Sequence, residues 1–198
     1  MKHAALLIAL IAFTSAKPVG TGYGIGDTVS DFQLRNTDGR MVSLSDYRSE
    51  KGVIIIFDCN TCPFSKAYND RIIALHGKYA PAGFFVIAIN SNDPKDSPGD
   101  SFQQMVRIAK EKNYSFPYLA DESQKVAKSF GATNTPHVFV LKREDEKFKV
   151  AYIGAIDNNA RDGSAADKKY VEEAVDAILA GKSVPVTKTK AIGCGIKW

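Results

Sequence analysis

The sequence predicts a single α/β domain built on a mixed sheet covered on both faces. Three observations carry that prediction. Two runs, "GVIIIFD" (52–58) and "FFVIAIN" (84–90), are apolar on both parities, as strands buried on both faces are. Between and after them, apolar residues recur at steps of three and four, so helices alternate with strands. A hairpin signal stands at each end of this pattern, which adds antiparallel pairs to parallel ones.

The elements follow in order. After a Gly-rich lead (Gly20 to Gly26), "DFQLRNTDGRMVSLSDYR" alternates apolar and polar residues around Asp38-Gly39, a strong hairpin signal. The buried strand at 52–58 comes next. From Pro63 to Tyr79, Phe64, Tyr68, Ile72, Leu75 and Tyr79 mark an amphipathic helix. The second buried strand is followed by "SNDPKDSPGDS" (91–101), which reads as a solvated loop, with Asp100 or Ser101 placed to cap a helix carrying Phe102, Met105, Val106 and Ala109. "FPYLAD" reads as a short strand, and Val126, Ala127 and Phe130 as a short helix ending at Gly131. "HVFVLKRED" and "KFKVAYIGAI" form the second hairpin around a charged turn. Ser164-x-x-Asp167 resembles a capping box opening a last helix, with Val171, Ala174, Val175, Ile178 and Leu179 inward and Gly181 past its end. The tail from Lys182 to Trp198 has no helical period.

With 198 residues, 44% apolar and 24% charged, the chain is long enough to bury a proper core. Its net charge of +4 is dispersed, without basic runs or interleaved aromatics, so no nucleic-acid partner is indicated. The first sixteen residues stand apart: Lys2-His3, an apolar stretch from Ala4 to Phe13, then Thr14-Ser15-Ala16. That is the layout of a secretory signal peptide, and the stretch is too short for a stable membrane anchor, which needs about 20 apolar residues. The expectation is a signal peptide at 1–16 and one domain at 17–198, working in the periplasm or outside the cell, where disulfides persist.

Three cysteines are too few for a disulfide scaffold, and their odd number leaves at least one thiol reactive or paired in another way. Cys59 and Cys62 lie where a buried strand ends and a helix begins. Open α/β sheets place sites there, and unpaired N–H groups with the helix dipole favour a thiolate. Pro63 after the second cysteine excludes haem attachment, which needs a histidine there. A zinc ribbon needs a second Cys-x-x-Cys; only Cys194 remains, with His76 and His137 as the histidines of the mature chain. A purely structural disulfide would close a loop too short to restrict the unfolded chain much. Redox chemistry fits the placement best, with Cys59 as nucleophile and Cys62 as resolving thiol. Asp58 opposes thiolate formation at Cys59, and Lys66, one turn beyond Cys62, is placed to offset it.

Cys-x-x-Cys at a strand-to-helix junction, with a later Thr135-Pro136 opening a hairpin, resembles the thioredoxin-like fold. More narrowly, "CNTCPFSKAYNDRI", "INSNDPKDSPGDSF", "FPYLADESQKVAKSFGA", "TPHVFVL" and the closing "GCGIKW" resemble a peroxiredoxin-like bacterial group of the redoxin superfamily, over about residues 25 to 198. The resemblance implies a mixed sheet sandwiched by helices, an N-terminal hairpin extension and a cis-proline loop facing the cysteines. It implies Cys59 and Cys62 as a redox pair, and Thr135 and Pro136 as the place where a bound peptide or mixed disulfide is held. No cofactor is implied; the partners are protein thiols or disulfides and an upstream electron donor or acceptor. Cys194 is the candidate third redox thiol.

Two departures from the family patterns matter. Peroxiredoxins carry Pro-x-x-x-Thr/Ser-x-x-Cys. Counting back from Cys59, those places hold Ile56 and Gly52; from Cys62 they hold Cys59 and Ile55. A thiol-dependent peroxidase is therefore an alternative reading rather than the first one. Thioredoxin has Trp before its first cysteine, whereas this chain has Asp58, so redox potential and partner do not transfer. A further alternative is a copper-binding chaperone of the same fold holding the ion with Cys59, Cys62 and His137.

Overall fold

The computed structural model describes residues 22–198; the segment 1–16, expected above to be a signal peptide, lies outside them. Nine strands and four helices follow one another along the described chain. β1 (Gln33–Asn36) and β2 (Met41–Ser43) form the first hairpin, turning at Gly39, whose φ of +88° suits a residue without Cβ. Then come β3 (Gly52–Phe57), α1 (Pro63–Tyr79), β4 (Phe84–Asn90), α2 (Phe102–Glu111), β5 (Tyr118–Ala120) and α3 (Lys125–Phe130). The chain closes with β6 (Asn134–Thr135), β7 (His137–Glu144), β8 (Lys147–Gly154), α4 (Tyr170–Leu179) and β9 (Cys194–Gly195).

Seven strands make one sheet in the order β2-β1-β5-β4-β3-β7-β8. β3, β4 and β5 run parallel, while β1, β7 and β8 add the antiparallel pairs, so the expected mixed sheet is present. Every residue of β3 is buried, and its two faces serve two cores. Ile54 and Ile56 pack with Tyr68, Ile72 and Leu75 of α1 and with Val171 and Val175 of α4. Val53, Ile55 and Phe57 pack with Val126, Ala127 and Phe130 of α3. Each fully buried side chain of this size contributes about 1.5–3 kcal/mol, so the central strand is well anchored and its end is a fixed platform. α1 is pinned from its polar side as well: Tyr68 donates its hydroxyl to Asp157 at 2.9 Å, and Arg71 pairs with the same carboxylate at 2.5 Å.

Three local expectations change. Ser164-x-x-Asp167 does not cap α4. Ser164 sits in a separate 3-10 turn whose N–H is held by Asp162, Asp167 accepts from Asn158, and α4 begins at Tyr170. Ser101 does precede α2, but neither it nor Asp100 caps that helix with its side chain. The loop 91–101 is not uniformly solvated either. Ser91, Asn92, Ser97 and Asp100 are buried, because they hydrogen-bond to protein instead of water. Among the described residues, no helix is long and apolar enough to cross a membrane.

Candidate functional site

The site forms where β3 hands over to α1. Asp58 still pairs as a strand residue, donating its N–H to Ile89 at 2.9 Å, and Cys62 is the last residue before the helix. Pro63 takes the first helical position, where the missing N–H has no partner to lose.

The turn between the cysteines is held from outside by Asp100. One carboxylate oxygen accepts from the Asn60 N–H (2.6 Å) and the Asn90 amide (3.1 Å). The other accepts from the hydroxyls of Thr61 (2.7 Å) and Ser97 (2.5 Å) and from the Asn92 amide (2.9 Å). Asn60 is fixed further by Gly99 O (2.9 Å) and by the Tyr118 hydroxyl (3.0 Å). Burial pushes the Asp100 carboxyl up, but the bonds from Ser97, Asn92, Thr61 and Asn60 outweigh it and leave its pKa below the ordinary value. The charged form is therefore the one the fold holds.

Opposite the turn lies Thr135, joined to Pro136 by a cis peptide bond as the resemblance implies. Its hydroxyl is 3.1 Å from Cys59 Sγ, and its carbonyl oxygen is 3.2 Å from Cys62 Sγ. Its backbone also pairs with the tail, because β6 and β9 form a two-stranded ribbon with Thr135 opposite Cys194. All three cysteines thus meet at one residue.

The covalent pairing differs from expectation. Cys62 is bonded to Cys194, with their Cα atoms 5.9 Å apart, and Cys59 is the free thiol. The expected Cys59–Cys62 pair is therefore not the disulfide of this structure. The physical reason is the tail, whose path brings Cys194 against Cys62. Asn134 donates to Gly193 O (3.1 Å), Ile196 N–H donates to Thr133 O (3.0 Å), and Lys197 N–H donates to Asn92 (2.9 Å). Asp93 N–H and the Gln124 amide hold Lys197 O. Gly193 must lack a side chain, since a Cβ there would lie 2.1 Å from Thr135 O.

Cys59 is 5% exposed and opens onto a cleft of about 220 Å3 lined by Ser65, Lys66, Asn69, Lys112 and Tyr114. Burial raises its thiol pKa, and the neighbouring Asp58 raises it further. The Thr135 hydroxyl and the Cys62 N–H pull the other way without reversing the sign. The helix N-terminus thus does not leave Cys59 an unusually acidic thiol, and Lys66 stays exposed at the rim of the cleft. Asp58 itself is 4% exposed, and its Oδ1 has no hydrogen-bond partner. Burial pushes its pKa up to about 6, against opposing help from Ser65 and the Cys59 N–H.

His137 does not join the cysteines. It begins β7, its Nδ1 accepts from Thr133 N–H at 3.4 Å, and burial followed by the charge of Lys188 lowers its pKa to about 4. Among the described residues no cluster of three His, Cys, Asp or Glu can hold a metal ion, so Cys59, Cys62 and His137 do not form the copper site considered above. With Cys62 and Cys194 joined to each other, the zinc combination is not assembled either. Sequence reasoning missed Asp100 and Ser65; the latter lies 3.9 Å from Cys59 Sγ, buried in the first turn of α1.

The mixed sheet, the helix opened by Cys-x-x-Cys-Pro and the facing cis-proline loop define a thioredoxin-like redoxin. Residues 25–152 match the AhpC/TSA family, and the chain belongs to it. It is similar to the thiol-disulfide oxidoreductase ResA of Geobacillus kaustophilus, 27% identical over 154 residues, covering 74% of this chain and 82% of ResA. It is also similar to the chloroplastic peroxiredoxin Q of Sedum lineare, 28% identical over 106 residues, with 54% and 53% of the two chains covered. Among solved structures, an uncharacterized conserved protein from Geobacillus kaustophilus superposes with a TM-score of 0.83. It is 36% identical, with 90% of this chain and 94% of that chain covered.

Two predictions follow from the two carboxylates. Asp100→Ala removes the carboxylate that accepts from the Asn60 N–H, the Thr61 and Ser97 hydroxyls and the Asn90 and Asn92 amides, and is expected to cost on the order of 3 kcal/mol in urea unfolding. Asp58 works in the opposite sense. Its pKa is about 6 in the fold against an ordinary 3.8, so the folded state binds more protons between those values, and stability falls as pH rises through them. Asp58→Asn is expected to gain roughly 2–3 kcal/mol at pH 7 and to flatten the stability profile between pH 4 and 6. In the oxidised protein, where Cys59 is the free thiol, the same change should lower the Cys59 pKa and speed its alkylation by iodoacetamide.

Proposed function

We propose that the protein is a thiol–disulfide oxidoreductase whose reacting sulfurs are Cys59 and Cys62. The observation that carries this reading is the meeting of both sulfurs with Thr135 at the start of α1, beside the cis-proline. Thiol–disulfide exchange needs a thiol, a disulfide within its reach and a leaving group that tolerates charge. Cys62 has the last property, since it stands at the N-terminus of a 17-residue helix, where the dipole and free N–H groups favour a thiolate. In the exchange, Cys59 as thiolate attacks a substrate disulfide and one substrate sulfur leaves as thiolate. Cys62 then displaces the mixed disulfide, so the substrate is reduced and the pair becomes Cys59–Cys62. The reverse sequence oxidises a substrate dithiol. Protein thiols or disulfides are the substrates, and an upstream donor or acceptor resets the pair. Thr135 and Pro136 stand beside the sulfurs where the substrate would lie, with the Thr135 backbone itself paired to the tail. The leader at 1–16 supports export, where such exchange has substrates.

A peroxidase reading gains one specific point. The Thr135 hydroxyl supplies beside Cys59 the group that the Ile56 position lacks. Against it, the proline of the peroxiredoxin pattern is missing in both registers, its places holding Gly52 and Ile55.

Insulin reduction with a dithiol donor tests the proposal. Cys59→Ser and Cys62→Ser are each expected to fall to the uncatalysed rate; if neither changes turnover, the reading fails. Hydroperoxide offered to the same proteins is expected to be consumed no faster than in buffer, and rapid consumption that depends on Cys59 would favour the peroxidase instead.

A further inference from the structure

Cys62 stands between two possible partners: Cys59, three residues back on the same turn, and Cys194, on a strand from the far end of the chain. The tail does not depend on the disulfide alone for its place. It is hydrogen-bonded on both sides of Cys194, to Asn134, Thr133, Asn92, Asp93 and Gln124, and Ile196 is buried in the core beneath α3. A thiol held in this way stays beside Cys62 at high effective concentration after the bond is opened. Exposure also separates the three residues: Cys59 and Cys62 are buried, while Cys194 is partly exposed.

We propose that Cys194 is a third catalytic sulfur, which takes over the disulfide from the Cys59–Cys62 pair and presents it to the partner protein. The inference rests on the thiol-exchange reading above. In the hand-over, the Cys194 thiolate attacks Sγ of Cys62. The Cys62–Cys194 bond forms, the Cys59–Cys62 bond breaks, and Cys59 leaves with the electron pair and takes up the proton that Cys194 gave up. No electron enters or leaves the protein, so no further reactant is needed. The product of this step is the arrangement in the structure, with Cys62 bonded to Cys194 and Cys59 as the free thiol.

The second step takes place at the surface. A partner thiolate attacks Sγ of Cys194, forming a partner–Cys194 mixed disulfide, and Cys62 leaves as thiolate at the helix N-terminus. The partner's second thiol then attacks the partner sulfur of that mixed disulfide. The partner leaves as a disulfide, and Cys194 is released as thiolate. The partner is thus a protein carrying two neighbouring cysteines, and in the opposite direction its disulfide is the substrate.

The test is insulin reduction with a dithiol donor, alongside disulfide mapping of the oxidised variant. Cys194→Ser is expected to lower turnover about tenfold or more, the loss that follows from removing an intramolecular nucleophile. The oxidised Cys194→Ser protein is expected to carry Cys59–Cys62, with no thiol left to alkylate. Full turnover in Cys194→Ser, with Cys59→Ser and Cys62→Ser inactive, overturns the hand-over and leaves the exchange reading standing. Full turnover in all three overturns both. Lost turnover with Cys59 and Cys62 still alkylatable after oxidation also overturns the hand-over, because the pair then never forms.

Discussion

The site depends on Thr135 being held against the start of α1. Its hydroxyl meets Cys59, its carbonyl meets Cys62, and its backbone pairs with Cys194, so one residue sets the position of three sulfurs from two distant segments of the chain. That placement is possible because β3 is buried on both faces and pairs along its whole length with β7, which follows Pro136 directly. Two rigid neighbours in the sheet thus deliver the cysteine turn and the cis-proline loop to the same edge. Asp100 supplies the remaining constraint by gathering the donors of the turn onto one carboxylate.

Opposing electrostatic effects decide how the sulfurs divide their roles. Helix dipole and N–H groups act on both cysteines, both are buried, and Cys59 alone has Asp58 directly beside it in the chain. The outcome is a free thiol with a raised pKa at Cys59 and a disulfide at the helix terminus. Asp58 carries a stability cost, with one buried oxygen unpartnered. A residue that is costly to the fold and adjacent to the reacting sulfur fits a role in tuning that sulfur.

Much of this was legible in the sequence. The all-apolar runs marked β3 and β4, and the three-and-four spacing from Phe64 to Tyr79 marked α1, because burial on one helix face leaves a period that residue type alone records. The cis-proline loop was legible through the resemblance, not through periodicity. Asp100 was hidden. A stretch rich in Ser, Asn, Asp and Pro has the same hydrogen-bonding capacity whether water or protein answers it, and here protein does. The tail was hidden for a related reason. It docks by backbone pairing and by the single buried side chain of Ile196, which leaves no period to read. Its one signal was Gly193 before Cys194, a residue whose missing Cβ permits the close approach to Thr135.

The most direct measurement is the disulfide map of the oxidised full-length chain, with free thiols blocked before proteolysis and mass spectrometry. Three sulfurs gathered at Thr135, with the tail bonded to Cys62, predict a Cys62–Cys194 peptide and a blocked Cys59. A Cys59–Cys62 peptide with Cys194 blocked would contradict the account.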